Sequence, residues 1–279
     1  MNIKKNILIV FFNYFYYINS CQSAVLNPHG YVAMEQRSLI LISFFMMLII
    51  VIPVILMTLF FIWKYRSVNI HGIYTPDWNK SYLIETFIWV VPICIICCLS
   101  VLSWKSTHRL EPSKPMISVI KPINIDVISL DWKWLFIYPD YKIATINEIV
   151  FPVNTPINLR ITSNTVMNSF FVPDLGSQIY AMAGMISKLN LLANQSGHYK
   201  GFSSNYSGNG FSNMKFSVIS SSNKQYFNQW ILKIKHVPYT LKTIKMFNYL
   251  ANSHNKFNTQ YFSDVDCDLL NKIVKQYKN

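Results

Sequence analysis

Two stretches of this chain carry no charge at all: residues 38–63 and residues 86–104. A helix rises 1.5 Å per residue, so either stretch crosses roughly 30 Å of hydrocarbon. No soluble fold needs two such segments. The chain is therefore expected to span a membrane twice, as helices over 38–63 and 84–104 joined by a loop over 64–83. Pro53 and Pro92 fall inside the spans, where membrane helices tolerate them. Trp63, Lys64, Tyr65 and Arg66 form an interfacial anchor, and Trp89 and Trp104 mark the second span. Basic residues flank both sides, so charge counting leaves the orientation open.

The N-terminus supplies an orientation. Lys4 and Lys5 precede an apolar run over residues 7–18 that ends in Ile18-Asn19-Ser20-Cys21. That order of charge, apolar run and small residue before Cys resembles a secretory signal with a lipobox. Residues 1–20 are expected to be a signal peptide and Cys21 the lipidated first residue of the mature chain. An uncleaved third anchor is the alternative, since Asn13 interrupts the apolar run. Export of Cys21 makes residues 21–37 periplasmic, 64–83 cytoplasmic and everything after the second span periplasmic, on a bacterial inner membrane.

The charge pattern excludes one class of partner. The net charge is +13, but only four of the 25 basic residues are Arg (Arg37, Arg66, Arg109, Arg160). Phosphate recognition favours Arg forks, no nucleic-acid motif accompanies the lysines, and the excess reads as compositional bias. Cys94, Cys97 and Cys98 lie inside the second span without His or carboxylate, as small hydrophobes do. Cys267 leaves the soluble part without an internal disulfide.

Beyond residue 120 the apolar period changes to two. Ile123, Ile125 and Val127 alternate with Asn124, Asp126 and Ile128. Leu130, Trp132, Trp134 and Phe136 alternate with Asp131, Lys133 and Leu135. The same holds for Ile157, Leu159 and Ile161, and for Met214, Phe216 and Val218. Short strands with turn residues between them predict an antiparallel β-sandwich over 105–220. From residue 221 the period returns to that of a helix. Phe227, Trp230, Ile231 and Ile234 share one face, and Leu269, Leu270, Ile273, Val274 and Tyr277 another. A C-terminal helical arm over 221–279 is expected.

Several segments match a known family in order. They are Leu26-Asn27-Pro28-His29-Gly30, Glu35-Gln36-Arg37-Ser38-Leu39-Ile40-Leu41, Asp131-Trp132-Lys133-Trp134, Asn168-Ser169-Phe170-Phe171-Val172-Pro173, residues 176–185 from Gly176 to Met185, and Tyr206-Ser207-Gly208. With the double span, they resemble subunit II of haem–copper terminal oxidases, most closely the cytochrome bo-type ubiquinol oxidase branch. The resemblance implies a membrane hairpin bearing a periplasmic cupredoxin-like sandwich. It implies a proton-pumping oxidase whose haems and copper sit in a partner subunit I, with further subunits and membrane lipids around it and ubiquinol as substrate.

In the cytochrome-c-oxidising branch the sandwich holds a dinuclear copper centre. Carried onto this chain, its two His positions are Asn168 and Phe211, its two Cys positions are Ser203 and Ser207, and the carbonyl donor is Asn205. Only Met214 keeps a ligand type. Soft copper needs thiolates, so no metal or redox cofactor is expected in this chain, and His108, His198, His236 and His254 do not pair at ligand spacing. Trp132 and Trp134 match the segment that carries electrons from cytochrome c in the copper branch; here they are expected to serve core and subunit contact. Glu85 matches a family carboxylate at the mouth of a proton channel. An acid at the hydrocarbon edge is a functional candidate, and helix-end electrostatics is the competing explanation. Two other functions stay open: a free-standing periplasmic scaffold or binding module, and a copper-dependent cytochrome c oxidase subunit.

Overall fold

The computed structural model describes residues 25–66, 80–116, 118, 120–252 and 259–277. The expected signal peptide, Cys21 and His254 lie outside them. The chain divides into two compact units, one of residues 37–111 and one that joins residues up to 36 with 112–279.

The first unit holds two long helices, α1 (Tyr31–Lys64) and α2 (Tyr82–Arg109). Both run past the uncharged stretches: α1 begins seven residues before position 38, and α2 extends five residues beyond position 104. Pro53 and Pro92 sit inside them. Leu56, Ile62, Phe87 and Ile96 are each about 60% exposed or more. Side chains of this kind at this exposure are stable against lipid or partner helices, not water.

Among the described residues, the second unit is a sandwich built on ten successive strands. They are β1 (Ile123–Leu130), β2 (Lys133–Tyr138), β3 (Ile143–Ile146), β4 (Glu148–Pro152), β5 (Ile157–Ser163), β6 (Asn168–Phe171), β7 (Ile179–Ala181), β8 (Ser187–Leu191), β9 (Gly197–Ser203) and β10 (Lys215–Ser221). The arm follows as α3 (Lys224–Lys235), β11 (Thr240–Leu241), α4 (Ile244–Asn252), β12 (Gln260–Phe262), β13 (Asp264–Val265) and α5 (Leu269–Gln276). One sheet has the order β12-β3-β2-β1-β5-β8 and the other β4-β10-β9-β6-β7. Most ladders are antiparallel, while β1 with β5 and β4 with β10 are parallel.

Alternation along the strands sorts side chains between two cores. Ile125, Val127, Trp134, Phe136, Leu159, Ile161, Phe216 and Val218 point between the sheets. Ile128, Leu130, Leu135, Ile137 and Ala144 point outward, and there they meet Phe247, Leu250, Leu269, Leu270 and Ile273 of the arm. Each such fully buried aliphatic or aromatic side chain contributes about 1.5–3 kcal/mol. The arm thus covers one outer sheet face, which is why all six residues of β2 are buried. It also adds β12 to the sheet edge, antiparallel to β3, so it is helical only in part.

One alternation is broken where the sequence hides it. Residues 130–136 read as a single strand, yet Leu130 pairs with Lys133 across a turn made by Asp131 and Trp132. Trp132 takes φ +57°, and Leu130 ends on the face opposite Trp134 and Phe136.

Residues 25–36 belong to this unit too. His29 N and Gly30 N donate to Asp174 O, Tyr31 N donates to Leu192 O, and Asn194 N donates to His29 O. Gly30 bridges to Ala193, and a Cβ on Gly30 would lie 2.3 Å from the Leu175 carbonyl oxygen. Only glycine allows that approach. Gln36 Nε2 donates to Ser177 Oγ at 2.6 Å, so the Glu-Gln-Arg and Gly-Ser-Gln motifs meet each other.

Candidate functional site

The copper-branch positions gather at one end of the sandwich. Asn168 opens β6, Ser203 closes β9, and Phe211 opens a 3-10 turn, Phe211–Asn213, that leads through Met214 into β10. Because β6 and β9 pair, with Phe170 opposite Ser203, their ends bring Asn168 and Ser203 together. Ser203 Oγ donates to Asn168 Oδ1 at 3.1 Å and approaches Asn205 O at 3.3 Å. It accepts from Ser169 N at 3.4 Å. Asn168 Nδ2 donates to Val166 O and Asn205 Nδ2 to Met167 O. Ser204 Oγ, which the sequence reading passed over, joins Ser169 Oγ at 2.9 Å and Gln178 Oε1 at 2.7 Å.

Met214 is buried in the core between the sheets and touches the cluster through its backbone, its carbonyl accepting from Ser203 N. The ring of Phe211 packs on Tyr206, with centroids 5.8 Å apart. Ser207 Oγ is buried with no hydrogen-bond partner among the described residues. The donor set is thus amide, hydroxyl and thioether. Asn168 already spends its oxygen on Ser203. Nothing here supplies a thiolate or an imidazole, which a dinuclear copper centre requires, so these residues do not fit that group. Among the described residues no three His, Cys, Asp or Glu side chains cluster as metal ligands do.

The Asp-Trp-Lys-Trp segment sends its four side chains to four places. Asp131 Oδ1 accepts from Thr165 Oγ1 at 2.8 Å. The Trp132 ring lies against Gly208 and Gly210, and a Cβ on Gly210 would fall 2.1 Å from that ring. Lys133 is buried and donates from Nζ to Leu250 O at 2.6 Å, at the C-terminal end of α4, where a cation meets the negative end of the helix dipole. Burial lowers its pKa and Asp131 partly offsets this. Trp134 is fully buried with its ring against Phe170 and Phe216.

Glu85 stands in the first turn of α2, exposed beside Ile84, Phe87 and Ile88. Ser81 is the N-cap but makes no side-chain capping bond. A carboxylate there faces the positive end of the helix and the apolar flank at once. Cys94, Cys97 and Cys98 are exposed on the same helix, and Cys267 Sγ contacts Pro139 O at 3.5 Å. The candidate histidines stay apart. His108 bonds Trp104 O, His236 bonds Leu232 O, and His198 lies on β9. His29, by contrast, bonds Gln195 at 2.8 Å and stacks on Tyr199.

Two polar groups, one buried and one half-buried, lie beyond what the sequence reading picked out. Asp126 is fully buried and takes a two-pronged ion pair from Arg160, with Nε and Nη2 each 2.6 Å from a carboxylate oxygen. Burial raises the Asp126 pKa, and Arg160 pulls it back down. Glu148 Oε1 accepts from Trp230 Nε1 at 3.2 Å and from Tyr261 OH at 3.0 Å.

The family model for the cytochrome c oxidase subunit II periplasmic domain matches residues 140–221. Over longer spans the chain is similar to three proteins named cytochrome bo(3) ubiquinol oxidase subunit 2. One from Buchnera aphidicola subsp. Baizongia pistaciae is 52% identical over 92% of this chain and 90% of its own length. One from Buchnera aphidicola subsp. Schizaphis graminum is 50% identical over 99% and 94%. One from Pseudomonas aeruginosa is 48% identical over 94% and 78%.

Proposed function

The chain belongs to the ubiquinol oxidase subunit 2 family, and from that premise we propose that it is the subunit of a proton-pumping quinol:oxygen oxidoreductase that carries no redox centre. The haems and copper then reside in subunit I, and ubiquinol delivers electrons from within the bilayer without passing through the sandwich. The observation that carries this reading is the hydrogen bond from Ser203 to Asn168. Two positions that bind copper in the other branch are here satisfied by each other. A quinol dissolves in the membrane and has no need of an outer relay, whereas a water-soluble donor does.

The remaining duties are assembly and proton delivery. Helices α1 and α2 present apolar surface to lipid and to subunit I, and the sandwich sits on the periplasmic side of the inner membrane. Glu85 gathers protons at the cytoplasmic edge, in keeping with the general role of acids at that depth. Cys21 carries the lipid anchor.

Purification through a tag on this chain tests the proposal. Haem is expected to co-purify and quinol to drive oxygen uptake. Glu85→Ala is expected to slow turnover by about 10²-fold, the lower bound of what a positioned proton-transfer group contributes, with haem content unchanged. Full turnover in that variant removes the proton role, and a haem-free preparation removes the oxidase reading.

A further inference from the structure

The C-terminal arm lies outside the residues matched by the cytochrome c oxidase subunit II periplasmic domain, which end at 221, but inside the 99% of this chain covered by a ubiquinol oxidase relative. Two of its attachments lie at the end of the sandwich where the copper ligands are missing. At the near end, Lys133 holds the last turn of α4 through Leu250 O. At the far end, the Tyr277 hydroxyl, one residue past α5, donates to Asn164 O. Its Cβ also packs against Gly184, which takes φ +75° and would place a Cβ 3.1 Å from it.

Asn164 and Gly184 lie in the two loops that flank the cluster. The first loop is tied by Asn164 N to Ser129 O, by Thr165 to Asp131, and by Ser163 Oγ to Val166 O. Val166 and Met167 in turn offer the carbonyls that Asn168 and Asn205 bond. The second is tied by Thr162 Oγ1 and Ser163 N to Met182 O. A continuous set of contacts therefore runs from Tyr277 to the Asn168–Ser203–Asn205 cluster, and Lys133 stands two residues from Asp131 at its other side.

A metal centre fixes the loops that hold its ligands, because each ligand bond restrains its loop. Neutral Ser and Asn hydrogen bonds at 3.1–3.3 Å are weaker restraints. We propose that the C-terminal arm is an internal brace that takes over this restraint, with Lys133 and Tyr277 as its two positioning residues and loops 163–168, 182–186 and 203–214 as what it holds. The proposal rests on the reading of the sandwich as copper-free.

Amide hydrogen exchange on the full chain within the purified oxidase tests it, with Tyr277→Phe, Lys133→Met and the chain ending at Gln276. Exchange in the three loops is expected to rise roughly five- to thirtyfold in the truncated chain, the factor that one or two local contacts control, and by less in Tyr277→Phe. The pairs β1–β2 and β1–β5 are expected to stay protected, which shows that the variants fold. Unchanged loop exchange in all three variants overturns the brace. So does an even rise across every strand, which would make the arm a general part of the core. Electron paramagnetic resonance of the same samples separates the two readings: a mixed-valence dinuclear copper signal, which the copper of subunit I does not give, sinks the copper-free premise, whereas its absence together with unchanged exchange sinks the brace alone.

Discussion

Asp126 shows how much one partner decides for a buried charge. Its carboxylate has no exposure, and both of its oxygens meet the Arg160 guanidinium, whose side chain stays 37% exposed. Arg160→Met leaves the carboxylate buried without a counter-charge. The expected cost is about 2–3 kcal/mol, below that of breaking a fully buried pair because the guanidinium keeps one edge in water. The sign of the pH effect follows from the raised Asp126 pKa. The folded state binds this proton more tightly than the unfolded state does, so its contribution is complete below the ordinary aspartate value of 3.8 and is lost as pH rises through the folded value. Without Arg160 the folded value climbs further. Thermal unfolding should show the variant weakest near pH 7 and recovering towards pH 4. A deficit independent of pH would mean that packing, not charge, is what Arg160 provides.

At the level of elements, the arm is attached through groups that no local pattern announces. Glu148 binds Trp230 and Tyr261, which are 82 and 113 residues away, and Lys133 reaches a carbonyl 117 residues on. Burial and the Glu148 carboxylate push the Tyr261 pKa up to about 12 from 10.0. The neutral phenol is what the folded arm holds, so this contribution is whole below pH 10 and declines as pH rises towards 12. Titration of tyrosinate absorbance alongside near-ultraviolet circular dichroism should find the arm loosening in that window, and Tyr261→Phe should remove the Tyr261 part of the transition. An identical alkaline transition in the variant would assign it to other tyrosines. The helical stripes of the arm were readable because 3.6-residue periodicity is written into neighbouring positions. The face they cover was not, because it depends on contacts between distant segments. The turn at Asp131 and Trp132 escaped for a related reason: a two-residue turn leaves odd–even alternation intact in the sequence while it reverses the chain. The copper-branch positions were assigned through motif order alone, since Asn and Ser carry no pattern of their own, whereas Glu85 also stands out as a carboxylate at the edge of an uncharged span.

For the molecule as a whole, the division into parts does not follow the order of the chain. Residues 25–36 lead into and include the first turns of α1, yet they pack with residues 112–279. Four backbone hydrogen bonds join this strap to Asp174, Leu192 and Asn194, and Val32 and Ala33 are buried where α1 begins. A chain cut to begin at Pro112 keeps both sheets and the arm but loses the strap. The exposed Ala193 edge and the Leu175 carbonyl then meet water, which replaces the hydrogen bonds at small net cost, while the apolar burial of Val32 has no substitute. The net loss is about 2–3 kcal/mol, one side chain's burial plus roughly a few tenths per exchanged bond. For a unit of this size that lowers Tm by roughly 5–10 °C. Calorimetry on the chain beginning at Pro112, with and without a peptide of residues 25–36, measures it. Recovery on adding the peptide is the expected result, and it should disappear in a peptide with Gly30→Ala, whose Cβ cannot coexist with the Leu175 carbonyl. Equal Tm values with and without the strap would mean that the sandwich is complete without it, and that the Asn-Pro-His-Gly motif serves only the entry of the chain into the membrane.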